Sequence, residues 1–208
     1  MRVQKLLTIL GAMTIAAIAP LYAQNLIVNG DFEAGNTGFT TAYTYNTNLV
    51  PEGNYYITTN PSLHHPHAAS YGDHTTGSGL MMMVNGITQP NLAVWSQTVS
   101  VNPATVYTFG GWLSSWVSSS PAVLSIRINN VEIGQVTAPT TTGVWQPWSL
   151  SWNSGANTSA VLSIVNLNTE PIGNDFAMDD LEFVPEPASL LALGAGLTSL
   201  AALRRRRR

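Results

Sequence analysis

Between positions 24 and 184 apolar residues recur at every second place, and no window there carries a convincing helical period. Successive side chains of a strand point to opposite faces, so this alternation marks strands with one buried face. Leu124, Ile126 and Ile128 alternate with Val123, Ser125 and Arg127. Val144, Trp148, Leu150 and Trp152 alternate with Trp145, Ser149 and Ser151. Leu162 and Ile164 alternate with Val161, Ser163 and Val165, and Tyr107, Phe109 and Leu113 with Val106, Thr108 and Trp112. Turn residues separate these runs at Asn102-Pro103, Asn129-Asn130, Thr142-Gly143, Ser154-Gly155 and Ile172-Gly173-Asn174. Short strands punctuated in this way predict one all-β sandwich or barrel. About 160 residues suffice to bury a single core. Residues 46–79 differ: they are polar and loop-rich, and too long for a hairpin turn. That stretch reads either as a binding loop or as a variable surface excursion.

Charge is scarce and segregated. Only 9% of the 208 residues are charged, against roughly 25% in an average soluble protein. Arg2 and Lys5 open the chain, Arg204, Arg205, Arg206, Arg207 and Arg208 close it, and Arg127 is the one basic residue between 24 and 184. The same stretch holds ten of the eleven acids, all but Glu186, for a formal charge of −9. Nucleic acid is thereby disfavoured as a partner, because phosphate contacts need clustered Lys and Arg. With no cysteine, disulfides, thiolate metal sites and cysteine nucleophiles are excluded.

The two ends read as addresses. Residues 1–23 have a basic start, an apolar run from Leu6 to Ala19, Pro20, and Leu21-Tyr22-Ala23 in the place of a cleavage site. That predicts a signal peptide handled by the secretion translocon, with an uncleaved N-terminal anchor as the alternative. Ala188 to Leu203 is 16 residues without charge, followed at once by five arginines. A helix of that length reaches about 24 Å at 1.5 Å per residue, short of a hydrocarbon core of about 30 Å. It predicts a marginal transmembrane helix over 188–203. The 204–208 arginines would hold that end in the cytoplasm and leave the preceding domain outside.

Val184-Pro185-Glu186-Pro187-Ala188-Ser189, the short apolar helix and the terminal arginine cluster together resemble a PEP-CTERM sorting signal. The resemblance covers residues 185–208, with the motif at Pro185, Glu186 and Pro187. It implies recognition by an exosortase, an integral-membrane processing enzyme, in a Gram-negative bacterium that makes exopolysaccharide. It also implies transient membrane anchoring, then residence at the cell surface or in the extracellular matrix.

A second resemblance covers 24–184. The domain opens Asn25-Leu26-Ile27-Val28-Asn29-Gly30-Asp31-Phe32-Glu33 and closes Asn174-Asp175-Phe176-Ala177-Met178-Asp179-Asp180-Leu181-Glu182-Phe183. Trp95-Ser96-Gln97-Thr98-Val99 and the Tyr107-Thr108-Phe109 strand lie between. These motifs look like the galactose-binding-like jelly roll of many carbohydrate-binding modules. The resemblance implies first and last strands side by side and a structural Ca²⁺ held by Glu33 with Asp179 or Asp180. Strand alternation predicts that only one of the two aspartates faces such a site.

All six tryptophans fall between 95 and 152. Sugar C–H faces stack on aromatic rings, yet tryptophan also fills sandwich cores. Trp148 and Trp152 share a face with Leu150 and read as core. Trp116 and Trp145 are the ligand candidates. Arg127 either pairs with an internal acid or meets a ligand. His64, His65, His67 and His74 cluster near Asp73, without the rigid spacing of a metal site. Gly77-Ser78-Gly79 lacks the nucleophile-elbow pattern, and no Walker or dinucleotide fingerprint appears. The expectation is a secreted, non-enzymatic β-sandwich serving as a carbohydrate-binding or adhesion module in exopolysaccharide or biofilm. The alternatives are a purely structural surface protein without a small ligand, and a polysaccharide hydrolase.

Overall fold

The computed structural model describes residues 24–186. The expected signal peptide, Pro187, the 188–203 helix and the terminal arginines lie outside the described residues. Ten strands follow one another: β1 (Thr44–Tyr45), β2 (Asn54–Thr58), β3 (Met81–Val84), β4 (Ala93–Ser100), β5 (Val106–Ser115), β6 (Val123–Ile128), β7 (Val131–Thr137), β8 (Gln146–Asn153), β9 (Ser159–Asn166) and β10 (Phe176–Pro185). Six form one sheet in the order β1-β2-β3-β10-β5-β8, and four form the other in the order β4-β9-β6-β7. Every pairing is antiparallel except β1 with β2. The chain is an all-β sandwich. No helix among the described residues is long and apolar enough to cross a membrane.

The alternation decides which faces meet. Tyr107, Phe109 and Leu113 of β5 and Met178, Leu181 and Phe183 of β10 turn inward from the six-stranded sheet. Leu124, Ile126 and Ile128 of β6 and Leu162 and Ile164 of β9 turn inward from the other, and all are buried. Trp148 is buried with them, and Leu150 and Trp152 pack half-buried against the same cluster. Val144 departs from the expected face: β8 begins only at Gln146, and Val144 is exposed. Between β6 and β7, Asn129 and Asn130 both take positive φ, 52° and 65°. Two such residues make a turn whose twist matches that of the strands it joins.

The 46–79 stretch is not one surface loop. It contains β2, and the chain after β2 folds back over the outer face of the six-stranded sheet. Trp112, Ser114 and Trp116 point to that outer face, opposite Leu113. Leu49, Met83 and Trp116 become a second buried cluster there, with Tyr56, Ala68 and Tyr71 packed on it. Ala69 N–H donates to the Trp116 carbonyl at 2.9 Å. His64 holds the fold-back at its base, with Nδ1 at 2.9 Å from Thr47 O and Nε2 at 2.8 Å from Thr58 Oγ1. The six-stranded sheet is thus covered on both sides at β3, which explains why Met81, Met82 and Met83 are all fully buried.

Candidate functional site

The two ends of the domain meet along β10. Its first residues, Phe176–Met178, pair with β3 on one side. Further along, the N-terminal segment takes over that side. Leu181 N–H donates to Gly30 O, and Leu26 N–H donates to Phe183 O, both at 2.9 Å. The switch of partner coincides with a bulge: opposite β5 the register shifts between Asp179 and Glu182. Asp180 sits in the bulge at φ +47°. A bulge inserts one residue and re-aims the side chains around it. The expectation that only one of the two aspartates faces a given site therefore fails, because both carboxylates reach the 72–80 loop.

That loop is tied down by acids. His74 N–H donates to Asp179 Oδ2 at 2.8 Å and Thr75 N–H to the same oxygen at 3.3 Å. The Thr75 hydroxyl donates to Asp180 Oδ1 at 2.8 Å, and His74 Nδ1 lies 2.6 Å from Asp180 Oδ2. Asp73 accepts from Thr76 N–H at 2.8 Å and Gly79 N–H at 2.6 Å. Glu33 accepts from Leu80 N–H at 2.6 Å. Gly79 lets two carboxylates approach: a Cβ there would lie 2.1 Å from Glu33 Oε1 and 3.0 Å from Asp73 Oδ2.

Glu33, Asp179 and Asp180 thus each accept from the 74–80 loop, and among the described residues no group of three or more His, Asp or Glu side chains is placed to hold a metal ion. The loop's N–H dipoles place partial positive charge against these carboxylates. Asp179 is fully buried. Burial pushes its carboxyl up to about 7, and the charge of Asp180 adds to the shift. The N–H groups of His74, Asp180 and Thr75 oppose it. The histidines are divided by the fold: His64 staples the chain, His65 packs on Trp116, and His74 stacks on Trp112.

Beside the loop lies an aromatic and acidic depression. The His74 ring covers Trp112 at 3.6 Å between centroids and 16° between planes. Trp145 stands edge-on to His74 and to Tyr71, 6.0 Å from each, and its Nε1–H donates to Gly72 O at 3.1 Å. A depression of about 430 Å³ opens at the level of Trp112, lined with Pro147, Ser149, Asp180 and Glu182. A second hollow, lined by Asn25, Asn29 and Asp31, shares Asp180 and Glu182 with it. Indole and proline give apolar contact, and the carboxylates and amides give hydrogen-bond partners. Such a lining suits a neutral, hydroxyl-rich ligand.

The candidate residues separate accordingly. Trp116 is corrected from ligand platform to core: it is fully buried, and its Nε1–H donates to Val84 O and Phe176 O, both at 3.0 Å. Trp145 is half-buried at the rim of the loop. Arg127 lies on β6 of the four-stranded sheet and does not line the depression. Its Nε–H donates to Ser125 Oγ at 2.9 Å, and Ser125 in turn reaches Glu132. A serine bridge thus replaces the expected direct ion pair. The outer-face residue not singled out from the sequence is Trp112.

Pro185 is the last residue of β10, opposite Tyr107, and Glu186 follows with its N–H donating to Val106 O at 2.9 Å. The tail that begins here is the PEP-CTERM protein-sorting motif. The match covers residues 183–208. A PEP-CTERM motif marks a secreted chain that an exosortase processes. No curated protein matches this chain in sequence. Solved structures resemble it in architecture. The CBM22-1 xylan-binding domain from Paenibacillus barcinonensis Xyn10C is 14% identical with a TM-score of 0.54, over 80% of this chain and 97% of that one. TmCBM61, solved in complex with β-1,4-galactotriose, is 16% identical with a TM-score of 0.50, over 79% and 100%. The Stig cyclase Fisc from Fischerella sp. TAU is 13% identical with a TM-score of 0.55, over 80% and 99%. At such identities the likeness is one of fold alone, and two of these three neighbours are carbohydrate-binding modules by name.

Proposed function

We propose that the PEP-CTERM chain is a secreted, non-enzymatic carbohydrate-binding module, sorted to the cell surface and serving in exopolysaccharide or biofilm. The observation that carries this reading is the depression at Trp112, where an aromatic surface meets Asp180, Glu182 and Ser149 on a fold shared with glycan-binding modules. The domain's charge narrows the ligand. Ten carboxylates against one arginine between 24 and 184 repel anionic polymers at low salt. An uncharged glycan is therefore the expected partner.

Glycan-array binding of the 24–186 domain tests this. Neutral glycans should bind, and acidic ones should bind only as salt screens the field. Trp112→Ala should weaken binding about 30-fold, the loss of a tryptophan anchor of about 2 kcal/mol. Trp112 is half-buried and carries the His74 ring, so the variant should lose below about 2 kcal/mol of stability and still fold for the binding measurement. Failure of every neutral glycan at every salt concentration would sink the reading and leave a structural surface protein.

A further inference from the structure

The sorting motif begins inside the folded domain. Val184 pairs with Thr108 and Pro185 with Tyr107 in the β10–β5 ladder. Glu186 N–H donates to Val106 O at 2.9 Å, and the Ser151 hydroxyl donates to Glu186 Oε1 at 3.3 Å. Two of the three motif residues therefore lie against the sheet: Pro185 opposite Tyr107 in the ladder, and Glu186 through its backbone bond to β5 and its side-chain contact from β8. Pro185 follows the last contact that the N-terminal segment makes with β10 among the described residues, at Phe183, so none of those contacts needs the N–H that proline lacks. Phe183 is fully buried and stacks on Tyr107 at 4.9 Å. From that core residue to Pro187 is four residues, at most about 14 Å of extended chain. No linker separates the core from the signal.

We propose that the fold masks its own sorting signal: Pro185 and Glu186 must peel from β5 before the membrane processing enzyme can engage them, and the small population of this opened state limits the rate of release. The inference rests on the PEP-CTERM assignment. An enzyme that takes a chain into a cleft needs both edges of its backbone, and a strand paired in a sheet offers only one. Processing of a folded substrate then follows the population in which the segment has opened locally. Strand ends fray most readily, so the masking is partial and the signal is read slowly rather than never. Folding of the domain would in this way precede and pace its detachment from the membrane.

The test uses the full chain in cells that carry the processing enzyme, with precursor and product followed by pulse-chase. A six-residue Gly-Ser spacer between Val184 and Pro185 keeps the motif intact and moves it off β5. The precursor should then disappear about 30-fold faster, the effect of removing two net hydrogen bonds of the usual strength. A Thr108→Cys, Val184→Cys pair locks the ladder one residue before the motif, and the chain has no other cysteine to confuse the cross-link. The cross-linked precursor should persist and be released when a reductant is added. Melting temperatures of the variants confirm that the domain still folds. Wild-type kinetics for the spacer variant would overturn the masking. Replacing Pro185, Glu186 and Pro187 with alanine tests the underlying assignment separately: the precursor should stay in the membrane, and normal release would remove the sorting reading itself.

Discussion

Trp116→Ala is expected to destabilise the domain by about 3–5 kcal/mol, the usual cost of deleting a buried large aromatic side chain. Nothing of the ring reaches solvent, and it is packed against Leu49 and Met83. The variant also leaves the carbonyls of Val84 and Phe176 without their shared donor, at about 1 kcal/mol or more if water cannot replace it. Stability of that order is a large share of what a single domain possesses. Urea unfolding should show a much lower midpoint, and the fold-back after β2 should lose protection from hydrogen exchange first. Trp145→Ala removes a half-buried ring and one hydrogen bond to Gly72, so its cost should stay below about 2 kcal/mol. Equal losses for the two variants would mean that Trp116 is not the pillar of the second cluster.

This pair of tryptophans shows where the sequence was legible and where it was not. Alternation on β5, β6, β8 and β9 identified the inward faces correctly, because each strand is buried on its core side by long-range packing that any apolar series satisfies. It also placed Trp112 on the opposite face of β5, while Trp116, just beyond the strand, read as a ligand candidate. Alternation carries no information about what covers that face. The 59–80 chain lies over Trp116 and leaves Trp112 at the rim, and only that difference separates core from candidate ligand platform. One signal was available: Met81-Met82-Met83 is apolar on both sides, the pattern of a strand buried on both faces. The meeting of the domain's ends was legible from its opening and closing motifs. The bulge was not, since it arises where β10 exchanges β3 for the N-terminal segment, a contact more than 140 residues apart in the chain. Without the bulge, Asp179 and Asp180 would point to opposite faces and could not both hold His74 and Thr75.

The domain should be more stable at pH 5 than at pH 8. Asp175 and Asp179 are both buried, and burial is the main reason that each carboxyl is pushed from 3.8 up to about 7. For Asp175 the charge of Glu52 adds to the shift and the Gly86 N–H, which donates to Oδ1 at 3.0 Å, opposes it. Between about pH 4 and pH 7 the folded state holds these protons while the unfolded chain has released them. Stability falls with rising pH wherever the native state binds more protons, by at most about 1.4 kcal/mol per pH unit for each group. Partial solvation and movement of the loop reduce this, so a total loss of about 2–4 kcal/mol from pH 5 to pH 8 is expected. His65, whose pKa burial lowers, works in the opposite sense at acid pH, but its ring is only half-buried. Asp175→Asn isolates one contribution, because an amide oxygen can still accept from Gly86 and no charge then needs to be buried. The variant should match the parent at pH 5, exceed it by about 1–2 kcal/mol at pH 8, and show a shallower slope between them. Parallel stability curves for the two proteins across that range would show that Asp175 is ionised in the folded domain throughout, and that its burial is compensated by a partner other than a proton.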